Sequence, residues 1–279
     1  MQTFTIDLWD GFEMPARAEG DAPRPALDAY LLASSEPRPA VLVLPGSGYR
    51  HCSPREAEAF AVRFNAAGWH SFVLWYRCAP SRHPAPLLDC GRALTLIRGR
   101  ATEWRIDPQR LAMLGFSAGG HLALSQTLFR ESGFAAAPGI DSALARASAL
   151  ALGYPVVSSG EYAHRGSFDA LLGANPSAET LSLLSLEKHI SADLPPVFIW
   201  HTLADQAVPV ENSLLLAAAL RRAGVPWELH IFPEGKHGLA LAAEETACGD
   251  PANINLHTAQ WFPLCLRWLG MQFRERGSD

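Results

Sequence analysis

The residues of this chain best suited to chemistry are a serine, an aspartate and a histidine, met in that order. Ser117 stands at the centre of Gly115-Phe116-Ser117-Ala118-Gly119, a Gly-x-Ser-x-Gly pattern that ends an apolar run and opens an Ala/Leu-rich stretch. That succession predicts a tight strand-to-helix turn holding the serine hydroxyl above a sheet edge. Glycine is expected on both sides because a side chain there would crowd a backbone forced into sparsely populated dihedrals. The helix after the turn would aim its free N–H groups and positive dipole end at the same spot, where acyl transfer develops negative charge. Serine is inert without a base, so the turn implies a histidine, an acid and further oxyanion donors elsewhere in the chain.

Two later stretches supply the first two. An apolar run at 196–200 leads into His201-Thr202-Leu203-Ala204-Asp205, and another at 227–232 leads into Pro233-Glu234-Gly235-Lys236-His237-Gly238. Asp205 and His237 thus follow successive strands, in the order serine, acid, histidine that goes with this kind of turn. His237 would take the Ser117 proton and return it to the leaving group, while Asp205 fixes its tautomer. Asp193 and Glu211 are weaker rivals for the acid, because one precedes its strand and the other reads as first-turn helix charge. His230 lies inside a strand and His257 in a late helix. For the oxyanion, the N–H of Ala118 is one donor, and the turn Pro45-Gly46-Ser47-Gly48-Tyr49 offers those of Ser47 and Gly48. Tyr49, Tyr154 and His201, near strand ends, are candidates for the substrate pocket. Arg77, Asp89 and Asp107 read as structural ion pairs or caps.

The elements that must position these groups alternate. Strands are expected at 27–33, 40–44, 71–76, the elbow run from 111, 147–152, 196–200 and 227–232. Helices are expected over 54–67, 87–101, after Ser117, over 210–223 and over 254–269. This alternation argues for an α/β fold: a mainly parallel central sheet with helices on both faces, because parallel strands need crossover helices and bury both sides. In such sheets ligands sit at the carboxyl ends of the strands. The rhythm breaks at 158–193, read as a small inserted cap with helical pieces at 167–172 and 177–186. Trp69, Trp75, Trp200 and Trp227, in or beside strands, are expected in the core. The 279 residues suit a single domain, 1–279.

The formal net charge of −5 leaves no basic footprint for nucleic acid. No run reaches the roughly 18 apolar residues of a spanning helix, and the first twenty positions hold no signal-like core, so a cytoplasmic protein without a membrane partner is expected. Five cysteines lie scattered without C-x-x-C spacing, which argues against a metal cluster or a disulfide framework. No metal-ligand spacing, phosphate loop or dinucleotide fingerprint occurs, so neither a metal nor another cofactor is expected. A homo-oligomer is compatible with the sequence.

The segments Gly115 to His121, Asp205-Gln206-Ala207-Val208-Pro209 and His237-Gly238, with the Pro45 to Tyr49 turn, resemble the α/β-hydrolase superfamily. Within it, the chain is similar to bacterial acetyl esterases and carbohydrate esterases, including acetyl-xylan and feruloyl esterases, related to the hormone-sensitive-lipase group. The resemblance covers about residues 25–270. It implies hydrolysis of a small-molecule carboxylic ester with a short acyl group, the substrate class being acetylated sugars and oligosaccharides. A serine exopeptidase or amidase on the same fold, with Glu161 or Asp169 as loose anchors for an amine, is the alternative, followed by a non-catalytic binding protein. Those relatives carry Pro-Gly-Gly-Gly where this chain has Pro45-Gly46-Ser47-Gly48, a replacement tolerable only if Ser47 keeps dihedrals allowed to a side-chain-bearing residue.

Overall fold

A computed structural model describes residues 1–18 and 24–274. Among the described residues eight strands form one sheet: β1 (Gln2–Asp7), β2 (Ala26–Leu31), β3 (Arg38–Leu44), β4 (His70–Trp75), β5 (Ile106–Phe116), β6 (Ala149–Gly153), β7 (Val197–Thr202) and β8 (Trp227–Phe232). Their spatial order is β1-β2-β4-β3-β5-β6-β7-β8, with β1 and β2 antiparallel and β3 to β8 parallel. The 27–33 patch is therefore the second arm of a hairpin. Its partner β1, outside the strands expected from the sequence, alternates Phe4 and Ile6 on one face with Thr3 and Thr5 on the other.

Strands β3, β4, β6 and β7 and the second half of β5 are buried on both faces, and the alternation of their side chains divides the core in two. Leu42, Leu44 and Met113 face a layer that includes α2 (Ala85–Gly99), α4 (Ala118–Phe129) and α7 (Glu211–Ala223). Val41, Val43, Ala112 and Leu114 face α1 (Glu58–Ala66) and the last helix, which spans Trp261–Arg274. Fully burying a Leu or Val side chain is worth about 1.5–3 kcal/mol, so these paired layers dominate the stability of the sheet.

Four expectations are corrected. The helix foreseen over 54–67 is broken: a 3₁₀ turn, Pro54–Glu56, precedes α1, and Ala57 between them has φ −118° and ψ −105°. The break turns Glu56 into the interior, where it is 4% exposed. The final helix starts at Trp261 instead of 254, because the Asn255 side chain accepts from the Thr258 N–H and a 3₁₀ turn, Thr258–Gln260, takes up the approach. A short α3 (Ala101–Trp104) stands apart from α2. Trp227 is 37% exposed, since β8 is an edge strand with one free side.

Segment 158–193 carries two short helices, α5 (Arg165–Leu172) and α6 (Ala178–Leu183). It does not lie loosely over the sheet: Phe168, Leu171, Leu184 and Leu186 join the core shared with α2 and α4. Arg77 and Asp89 form a fully buried ion pair at 2.8 Å, and Asp107 pairs with Arg110. The five cysteines are all free. Among the described residues no group of His, Cys, Asp and Glu is arranged to hold a metal, and no helix is long and apolar enough to cross a membrane.

Candidate active site

Ser117 sits between the end of β5 and the start of α4 with φ 51° and ψ −117°, a conformation that costs a side-chain-bearing residue about 1–3 kcal/mol. Neighbours hold it there. Its N–H donates to the Gly153 carbonyl at the end of β6, and its own carbonyl accepts from Val156 and His121. The strain falls on the serine and not on the glycines that flank it, neither of which has positive φ. Those glycines are required by close packing: a Cβ on Gly115 would lie 2.4 Å from the Gly119 carbonyl oxygen, and one on Gly119 would lie 2.1 Å from that of Leu44.

His237 and Asp205 arrive on loops after β8 and β7. His237 Nε2 lies 2.9 Å from Ser117 Oγ, and its Nδ1 lies 2.6 Å from Asp205 Oδ2. An ionised carboxylate can only accept, so the proton is on Nδ1 and Nε2 accepts from the serine hydroxyl. The side chain of Asp205 is wholly buried while that of His237 is 23% exposed. Burial alone would raise the Asp205 carboxyl. Hydrogen bonds from His201 and His237, the charge that His237 can carry, and the backbone N–H of Val208 outweigh it and hold Asp205 well below the usual carboxylate range. Its other oxygen, Oδ1, accepts from the N–H groups of Ala207 and Val208 at 2.9 and 3.0 Å.

His201 completes this clamp from inside β7. Its Nε2 faces two acceptors, Asp205 Oδ2 at 3.2 Å and the Val208 carbonyl at 3.0 Å, so Nε2 carries the proton and Nδ1 accepts from the Ser213 hydroxyl at 2.8 Å. His201 is fully buried and supports Asp205 from behind, away from any substrate surface. Tyr49 and Tyr154, each 2% exposed, are likewise behind the site and not on its wall. The Tyr49 hydroxyl is bonded to His121, and the Tyr154 ring stands edge-on to His237 with centroids 5.0 Å apart. Burial explains all three displacements: each lies at a strand end, as foreseen, but its polar atom turns inward to a partner.

The turn after β3 packs directly on the elbow. A Cβ on Gly46 would lie 2.9 Å from Ser117 Cβ, which is why glycine is needed there. Ser47, Gly48 and Tyr49 follow with φ 108°, 64° and 60°. Ser47 therefore departs from the condition set by the sequence: it occupies positive φ, where a side chain is strained. Ala118 is the first residue of α4, so its N–H belongs to the unsatisfied first turn of that helix.

One polar side chain at the site had no signal in the sequence. His164, just before α5, lies against Gly48, close enough that a Cβ on that glycine would be 3.7 Å from its ring; its Nδ1 is 2.8 Å from Ser167 Oγ. Burial lowers its affinity for a proton, and the charges of His237 and Arg50 add to that while Asp205 opposes it. Segment 158–193 thus brings an imidazole beside the turn that faces Ser117. Glu161 and Asp169, by contrast, are exposed on the same segment. Asp193 and Glu211 take no part: one precedes β7, the other opens α7.

Residues 27–220 match the BD-FAE family. The structure superposes on an acetyl ester-xyloside bifunctional hydrolase from Caldicellulosiruptor lactoaceticus with a TM-score of 0.87 and 41% identity, covering 96% of each chain. An endo-1,4-beta-xylanase B of Butyrivibrio fibrisolvens is 40% identical over 229 residues, 81% of this chain and 36% of that protein. An acetylxylan esterase of Xylanibacter ruminicola is 30% identical over 208 residues, 72% of this chain and 41% of that protein. The chain thus spans well under half the length of either of these two relatives. The sheet order, the serine elbow and a family match over most of the chain agree: this chain belongs to the BD-FAE family and has the α/β-hydrolase fold.

Proposed function

We propose that the chain is a serine carboxylesterase for short acyl esters, with acetyl groups on xylose-containing oligosaccharides as its substrate class. The observation that carries this reading is the unbroken relay from Ser117 through His237 to Asp205, standing on a strained serine turn. The chain's similarity to an acetyl ester-xyloside bifunctional hydrolase and to an acetylxylan esterase supports the choice of acyl group and sugar.

In this reading Ser117 Oγ attacks the ester carbonyl carbon while its proton passes to His237 Nε2. Charge gathers on the carbonyl oxygen, which accepts hydrogen bonds from the N–H groups of Ala118 and of Ser47 or Gly48; one such donor is worth about 10²- to 10³-fold in rate. Asp205 stabilises the imidazolium, with His201 and two backbone N–H groups keeping the carboxylate charged and aimed. The tetrahedral adduct collapses, His237 protonates the departing alcohol oxygen, and the acyl group remains on Ser117. Water then repeats the sequence, releasing acid and free serine. His164 offers a polar contact for the hydroxyl-rich alcohol part.

Ser117→Ala should lower hydrolysis of p-nitrophenyl acetate by at least about 10⁴-fold and abolish acetate release from acetylated xylo-oligosaccharides. Retention of wild-type turnover on either substrate would sink the reading. Turnover of aminoacyl-nitroanilides above that of the acetyl esters would favour the amidase instead.

A further inference from the structure

Glu56 is a buried carboxylate that the relay does not use. It belongs to the 3₁₀ turn that interrupts the helix expected after β3, and its two oxygens reach opposite sides of the site. Oε2 accepts from the Gly46 N–H at 2.7 Å, the residue directly before Ser47 and Gly48. Oε1 accepts from the Tyr154 hydroxyl at 2.6 Å. That hydroxyl already accepts from the Ala240 N–H, which lies three residues beyond His237, so its own proton is directed at Glu56. Two donated hydrogen bonds, one of them short, suit an ionised carboxylate. The neighbouring Arg55 donates to the Gly238 and Thr246 carbonyls, so the same turn grips the histidine loop a second time.

We propose that Glu56 is a positioning residue of the active site: its carboxylate ties the oxyanion turn at Gly46 to Tyr154 beneath His237, and its charge favours the imidazolium formed during turnover. The inference rests on the esterase reading above. Burial raises the Glu56 carboxyl, while the bonds from Tyr154 and Gly46 and the charges of His237 and Arg55 pull it back. The charged and titratable groups around His237 are Asp205, bonded to it; Glu56, behind the Tyr154 ring; His164, from segment 158–193; and Arg55, on the Gly238 carbonyl.

Glu56→Gln keeps the shape and removes the charge. An amide can accept from Gly46 only by turning its NH₂ toward Tyr154, which then has no acceptor for its hydroxyl proton. Expected are a kcat on p-nitrophenyl acetate lower by about 10-fold, a KM within about twofold of wild type, and an acid limb of the kcat/KM profile displaced to lower pH by about half a unit, because losing a nearby negative charge disfavours the imidazolium. Tyr154→Phe removes the bond that keeps the Glu56 charge in place, and should displace the acid limb the same way with a smaller kcat loss. A folded Glu56→Gln enzyme whose acid limb stays at the wild-type position overturns the proposal and leaves only a packing role. If that variant does not fold, an unmoved limb in Tyr154→Phe overturns it equally. Ser117→Ala separates this from the reading beneath it: an inactive Ser117→Ala beside an unmoved limb rejects the Glu56 proposal alone, whereas an active one rejects the esterase itself.

Discussion

His121, the last residue of the Gly115 to His121 motif, makes stability depend on pH in a direction that can be worked out. It is 1% exposed, with Tyr49 and Phe168 edge-on to its ring at 5.8 and 5.5 Å. Nε2 faces the Leu184 carbonyl at 3.0 Å and must carry the proton, leaving Nδ1 to accept from the Tyr49 hydroxyl at 2.8 Å. Burial, with a smaller contribution from His83 and against the bond to Leu184, lowers its pKa from 6.5 to about 4. The folded value lies below the unfolded one, so the unfolded chain binds more protons in that window. The neutral ring's contribution to stability is therefore complete above pH 6.5 and is lost progressively as pH falls toward 4. At about 1.36 kcal/mol per pH unit this window amounts to about 3 kcal/mol.

Urea unfolding of wild type and His121→Gln at pH 7.5, 5.5 and 4.5 isolates the effect, because other histidines lowered by burial, such as the buried His70 and the half-buried His83, are common to both proteins. The variant should be less stable at pH 7.5, where glutamine serves Leu184 and Tyr49 less well. The difference should shrink by about 2.5 kcal/mol on going to pH 4.5, two units below the unfolded value. A difference that is the same at all three values would refute the claim that a neutral, buried imidazole links Tyr49 to Leu184.

Two further outcomes follow from the geometry. Ser47→Gly removes a side chain from φ 108°; the strain released, about 1–3 kcal/mol, exceeds the extra entropy cost of glycine, about 0.5–1 kcal/mol, so the urea midpoint should rise with esterase activity retained. A lower midpoint would mean that the Ser47 side chain supports the turn. Arg77→Met leaves Asp89, bonded also to the Trp9 indole N–H, as a buried charge without its partner. The expected cost is about 3–5 kcal/mol, read as a matching loss in unfolding free energy; a loss below about 1 kcal/mol would contradict the burial of that pair.

Much of this protein was legible in the order of its residues. A period-two or continuous apolar run marks each strand of the parallel sheet, and the glycines around Ser117 mark a crowded turn, because these are local constraints that any fold must meet. The triad candidates followed from position alone: strands in a parallel sheet end at one edge, so residues placed after successive strands come together there. Polar residues that turn inward were less legible. Glu56 has the appearance of an ordinary first-turn acid, and only the break at Ala57, with Gly46 and Tyr154 waiting as partners, takes it from the surface to the interior. His201, at a strand end, reads from the sequence as a pocket candidate, and its hold on Asp205 from behind depends on the loop folding back four residues later. His164 comes from a segment with no strong periodicity, brought to Gly48 by packing of Phe168 and Leu171 into the core. The sequence by itself determined the sheet, the elbow and the order of serine, acid and histidine, since those rest on backbone preference and periodic burial. Which polar groups face the reacting atoms and which stand behind them was decided only by the tertiary structure, because a buried polar atom must find its partner among residues distant in the chain.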